Sequence, residues 1–159
     1  MSETSSQAST VPKIADIMQT EVEVLRPDTT LYEAIVVLSE CGISGAPVLT
    51  DEGQLVGIIS EFALMDVLFD TKLKQARVSE YMTAEVHCLA ETDSLTHAVH
   101  MFAVYEVRRL PVMRGNQLVG IVSRRDLMRY CLQLDRALAT PLHEFMPELL
   151  ESSTNTAAS

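Results

Sequence analysis

Between Val107 and Arg129 the chain sets six arginines, Arg108, Arg109, Arg114, Arg124, Arg125 and Arg129, against the single acid Asp126, a local balance of +5. Guanidinium groups at that density suit anions, phosphates above all, which they grip through paired planar hydrogen bonds. Arg124 and Arg125 fall in the first turn of a predicted helix, where the macrodipole already presents positive charge and unpaired N–H groups. Bases there cost stability, and a phosphate arriving at the helix tip would meet both the dipole and the guanidinium groups. Ser123 and Asp126 stand at the spacing of a capping box, so the same two residues can close the helix end without any ligand. For the arginines the bland alternative is a solvated basic face or a salt-bridged surface between copies.

The elements that must hold these residues are written twice. Lys13-Ile-Ala-Asp-Ile-Met18 is answered by Arg77-Val-Ser-Glu-Tyr-Met82, Leu31-Tyr-Glu-Ala34 by Leu95-Thr-His-Ala98, and Ala46-Pro-Val48 by Leu110-Pro-Val112, all at a shift of 64. Past a one-residue deletion, Gln54-Leu-Val-Gly-Ile-Ile-Ser60 matches Gln117-Leu-Val-Gly-Ile-Val-Ser123 at a shift of 63. A duplicated unit of this size needs a partner to bury its apolar face. Each copy predicts a short strand (22–25, 86–89), then a helix carrying Leu31, Ala34, Ile35 and Leu38 or Leu95, Ala98, Val99 and Phe102 at helical spacing. Thr30-x-x-Glu33 caps the first helix, a hairpin follows with a second arm apolar enough to be buried on both faces, and a second helix starts after Ser60 or Ser123. The fold class is therefore α/β, two β-α-β-β-α repeats about a pseudo-twofold axis.

The copies diverge in charge. Ile43 to Asp66 holds Asp51, Glu52, Glu61 and Asp66 with no base, a balance of −4, and Ser60-x-x-Ala63 lacks the acid that Asp126 supplies. Glu61 at the helix tip satisfies the dipole by itself and repels phosphate. One good anion site is expected, not two.

Composition bounds the rest. With 159 residues, 47% hydrophobic and 21% charged, the chain is long enough to bury roughly two-thirds of its unfolded surface. A formal charge of −10 opposes nucleic acid and anionic membranes, and four Phe, four Tyr and no Trp leave little to stack on bases. Met1 to Thr10 does not read as a leader or transit peptide, no transmembrane span is expected, and Cys41, Cys88 and Cys131 read as buried free thiols, so the cytoplasm is the expected location. His97 and His100 lack a third partner at fixed spacing, so no metal site is expected. Nucleophile-elbow, Walker and zinc-protease signatures are absent, so no enzyme activity is expected. Met65 and Met128 match between copies and read as adaptable core or interface.

The repeat order, the pre-proline loop and Gly120-Ile-Val-Ser-Arg-Arg-Asp126 resemble a tandem pair of cystathionine-beta-synthase (CBS) domains, a Bateman module. The division expected is a disordered start at 1–10, repeat one at 11–70, repeat two at 76–135, and a C-terminal segment with a disordered tail at 136–159. A third start, Leu142-His-Glu-Phe-Met146, reads as packing back on the module. The resemblance implies a non-enzymatic regulatory module that binds an adenosine-containing nucleotide, AMP, ATP or another adenosyl compound, between the repeats and signals to a regulated partner, with no cofactor. Carried over by position, it puts Val22, Ile43 and Ser44 around the base and Ile121, Ser123, Arg125 and Asp126 along sugar and phosphate. Ser123 would bond a phosphate oxygen, Asp126 two ribose hydroxyls, Arg124 would share the helix tip, and Arg108 would point to the central phosphates. Gly120, lacking a side chain, would let a flat ring approach the strand. The resemblance also implies a homodimer through helix faces such as Leu31 to Leu38 and Leu64 to Leu68. The rival reading is a ligand-free dimerisation scaffold in which Ser123 and Asp126 only cap.

Overall fold

A computed structural model describes residues 11–138. The starts expected at 1–10 and 142–146, and the expected tail, lie outside the described residues. Helix α1 (Leu31–Cys41) begins with the predicted capping box complete: Glu33 N–H donates to Thr30 Oγ1 at 3.2 Å and Thr30 N–H to Glu33 Oε2 at 2.9 Å. It stops at Gly42, whose φ of 63° is left-handed. Strands β1 (Gly45–Leu49) and β2 (Leu55–Ser60) form an antiparallel hairpin, followed by the single turn α2 (Glu61–Leu64). After α3 (Val78–Tyr81) the second copy runs β3 (Leu89–Ala90), α4 (Leu95–Tyr105), β4 (Arg109–Arg114), β5 (Gln117–Ser123) and α5 (Arg124–Leu138). β4 and β5 are antiparallel, and β3 lies parallel to β4.

Three expectations need correction here, for the short strands, the hairpin arms and the burial of Cys41. No strand forms over 22–25, where only Leu25 bridges Val48, and of the expected 86–89 only Leu89 is in a strand, β3, which pairs Leu89 and Ala90 with β4. The copies differ two residues past the bridge, where Glu91 N–H donates to the Met113 carbonyl at 3.3 Å and its counterpart Pro27 has no N–H to give. The second hairpin arms are only partly buried, β5 fully so at Gly120 to Val122. Of the thiols, all free, Cys41 is exposed at the end of α1, while burial pushes the half-buried Cys88 and Cys131 thiols up.

The unit that repeats in sequence is not the unit that packs. Ile14, in the 3-10 turn Ile14–Asp16, is buried in the core of the second copy with Leu89, Phe102 and Val122, and Val78 is buried in the core of the first with Leu31, Val48 and Ile59. Backbone bonds fix both plugs: Ile14 N–H to Asp93 O and Ala15 N–H to Glu91 O at 2.9 Å, Val78 N–H to Thr29 O at 2.8 Å and Ser79 N–H to Pro27 O at 3.0 Å. Each buried branched residue contributes about 1.5–3 kcal/mol.

These plugs explain the paired glycines. A Cβ on Gly120 would stand 2.7 Å from Met18 Sδ and 2.9 Å from the Gln19 carbonyl oxygen, and Gly57 faces Met82 and Thr83 in the same way. Gly120 is thus a seat for the plug and not an opening for a ring, a correction to its expected role. Gly120→Ala should lower stability by about 1–3 kcal/mol through overpacking, read from the urea midpoint.

Candidate functional site

Two clefts open between the repeats. The first, of about 760 Å³, is lined by Ser60, Glu61, Phe62 and Met65 of one copy and by Glu85, Val86, His87, Tyr105 and Glu106 of the other. The second, of about 550 Å³, brings together Ile43 and Ser44 of the first copy with Arg108, Ile121, Ser123, Arg124, Arg125 and Asp126 of the second. Arg109 and Arg129 line it as well, so five guanidinium groups face two carboxylates, Glu61 and Asp126. Arg114, the sixth arginine of the basic run, is elsewhere: it forms a fork with Glu91, Nε to Oε1 at 2.5 Å and Nη2 to Oε2 at 2.8 Å, which holds the Glu91 carboxyl below its ordinary range.

Ser44, Glu61, Arg108 and Arg109 line both clefts and form the wall between them. Half-buried Arg109 reaches across the pseudo-axis, donating from Nη2 to Ser44 Oγ at 2.6 Å and from Nη1 to the Gly45 carbonyl at 3.2 Å; its Nε is buried without a partner. Burial pulls this guanidinium below its ordinary value, and the charges of Asp126 and Glu61 pull it back up. Beside it Arg108 pairs with Glu61 at 3.3 Å, with both side chains largely exposed. The backbone repeats the motif: Glu61 N–H donates to Ser44 O at 2.9 Å and Arg124 N–H to Arg108 O at 3.0 Å.

The tip of α5 is less open than the arginine spacing suggests. Asp126 N–H donates to Ser123 Oγ at 3.0 Å and Ser123 N–H to Asp126 Oδ2 at 2.9 Å, so the capping box is formed. Arg124 turns back, its Nε donating to the Val107 carbonyl at 2.6 Å, and clamps the pre-proline loop. Arg125 and Arg129, one turn apart on α5, have no partner among the described residues. They are the free charge of the cleft.

Val22 does not line this cleft, again a correction. Gln19 lines it, held by paired bonds with Ile121, N–H to O at 2.9 Å and O from N–H at 3.0 Å. Gln19 Nε2 donates to the remaining carboxylate oxygen of Asp126, Oδ1, at 2.9 Å. Gln19 was not singled out in the sequence; its one signal is that it follows the repeated Met18 where Thr83 follows Met82.

The family model for the CBS domain matches the chain twice, over residues 14–70 and 78–133. The chain belongs to the CBS domain family. As a CBS pair it is similar to CBS domain-containing protein YhcV of Bacillus subtilis, 31% identical over 118 residues that cover 72% of this chain and 81% of that one. It is also 33% identical over 124 residues to inosine-5'-monophosphate dehydrogenase of Methanocaldococcus jannaschii, where the match covers 77% of this chain and 24% of the enzyme. The chain thus spans about a quarter of the length of that curated relative. Among solved structures, CBSX2 from Arabidopsis thaliana gives a TM-score of 0.73 at 27% identity, covering 80% of this chain and 99% of that one. CBSX2 in complex with AMP gives 0.70 at 27%, covering 77% and 98%.

In this CBS pair the wall between the clefts depends on the Ser44 acceptor. Ser44→Ala leaves one arm of Arg109 short of a partner and should cost about 1.5–3 kcal/mol, the range for a hydrogen bond to a charged group. The thermal midpoint will show it.

Proposed function

We propose that this CBS pair is a non-catalytic sensor that takes an adenosine nucleotide, AMP in the simplest case, in the basic cleft and reports it to a regulated partner. The observation that carries the reading is the five-to-two excess of guanidinium over carboxylate at the tip of a 15-residue helix, in a chain of net charge −10. CBSX2, similar in fold, is a protein solved with AMP bound. Arg125 and Arg129 are free to meet a phosphate, with the dipole of α5 behind them. Ile43 and Ile121 offer apolar contact for a base. Ribose hydroxyls would replace Gln19 as donors to Asp126, an exchange of one donor for another that leaves the carboxylate satisfied. Longer phosphate chains would have to take Arg108 from Glu61, which favours a monophosphate over ATP. The Ser123 hydroxyl serves as a cap acceptor for the Asp126 N–H.

One observation favours the scaffold reading: Ser123 and Asp126 bond each other reciprocally as a complete helix cap. Dimerisation fits either reading. Of the faces expected to supply the interface, Leu31, Leu38 and Leu64 lie in the core whereas Leu68 is exposed, as are Phe62, Met65, Phe69 and Met128. Light scattering should give twice the chain mass.

Calorimetric titration with AMP should show one site, weakened at least tenfold by Asp126→Ala and left intact by Ala63→Ser. Binding should also weaken as salt is raised, because exposed charges are screened beyond about 8–10 Å. No heat and no rise in melting temperature with AMP, ATP, NAD or S-adenosylmethionine would leave the scaffold reading standing. In that case Asp126→Ala should cost only the cap, about 0.5–2 kcal/mol.

A further inference from the structure

The plug that completes the second repeat comes from the wrong end of the chain. Repeat one is closed by Val78 to Met82, which follow its own strands: Val78 stands 18 residues after Ser60. At the corresponding distance in repeat two, 19 residues after Ser123, stands Leu142-His-Glu-Phe-Met146. It carries the same features as both observed plugs: an apolar residue in the place of Ile14 and Val78, an acid at Glu144 in the place of Asp16 and Glu80, an apolar or aromatic residue next, and Met146 in the place of Met18 and Met82. Yet the seat beside Gly120 is held by Ile14 to Met18.

We propose that this seat on the second repeat is an exchangeable socket, for which residues 142–146 of the same chain compete with residues 14–18. The two contenders are unequal for reasons visible at their edges. Lys13 N–H donates to Asp16 Oδ2 at 2.8 Å and Gln19 N–H to Ile121 O at 2.9 Å. Pro141 and Pro147 stand in the places of Lys13 and Gln19 and have no N–H to give. α5 must also break to bring its end round, as the matching stretch of repeat one does by dividing into α2 and the two 3-10 turns Asp66–Phe69 and Leu73–Gln75. The resident plug therefore holds the socket in the ground state, and the challenger populates a minor one. Each exchange removes Gln19 from Ile121 and from Asp126 Oδ1, and Pro147 can supply neither the N–H that Ile121 O accepts nor the side-chain donor that Asp126 Oδ1 accepts. The socket is thereby coupled to the basic cleft whatever that cleft binds.

Amide hydrogen exchange on the full-length chain without any nucleotide tests this. The challenger traps the open socket, so Leu142→Asp should raise the protection of the Ile14, Ala15 and Gln19 amides several-fold and leave those of Val78, Ser79 and Thr83 unchanged. Pro141→Lys combined with Pro147→Gln, which returns the missing donors, should lower protection at the same three amides. Unchanged or reduced protection in Leu142→Asp would overturn the proposal. A gain that varies with protein concentration would assign the challenger to a second copy and overturn the in-chain source.

Discussion

Arg109 carries its charge across the pseudo-twofold axis, and both clefts are defined by where it lands. Perfect symmetry is impossible at that point. Its partner by position, Gly45, cannot hold even a methyl group: a Cβ there would sit 2.8 Å from the Ile59 carbonyl oxygen and 3.6 Å from Arg109 Cδ. The axis accepts one long side chain, and it comes from the second copy. Once a guanidinium is half-buried there, its desolvation must be met by acceptors from the opposite repeat, Ser44 and Gly45, and by the fields of Asp126 and Glu61. The acidity of the first copy and the basicity of the second are then parts of one electrostatic arrangement. Glu61, which from its position alone reads as a phosphate repellent, also serves as the counter-charge to Arg108.

The second constraint is reciprocal. Because Ile14 completes the core of repeat two and Val78 that of repeat one, neither hairpin-and-helix layer has a closed interior of its own. The methionine of each plug presses on a glycine of the strand that leads into the cleft helix, β2 or β5. Plug, strand and helix tip are thus mechanically continuous, from Met18 through Gly120 and Ile121 to Ser123.

What could be read beforehand was local pattern. Both long helices, the Thr30–Glu33 box, both hairpins and the starts of the helices after Ser60 and Ser123 follow from spacing and turn chemistry, which act over a few residues. The gathering of Ile43, Ser44, Arg108, Ile121 and Ser123 to Asp126 in one cleft followed from the resemblance to a CBS pair, carried over position by position. What escaped was decided by distant neighbours. Gly120 looked like access for a ligand because Met18 is remote in sequence, and Arg114 looked like part of the basic site because Glu91 is likewise remote. Gln19 entered the cleft through a backbone pairing with Ile121 that lies far along the chain and leaves no local pattern.

The placement of Ile14 has a consequence for how the molecule is made. On a growing chain the first repeat can finish as soon as residues 78–82 emerge, since its plug follows its core. Ile14 is synthesised first and matched last, more than 100 residues before the strand and helix that receive it, Val122 and Leu127, exist. During translation its apolar surface has no native place to go, and the closing of the second core is a long-range contact of the kind that slows folding. The ribosome thus delivers this protein in an order that its sequence repeat, read from left to right, conceals.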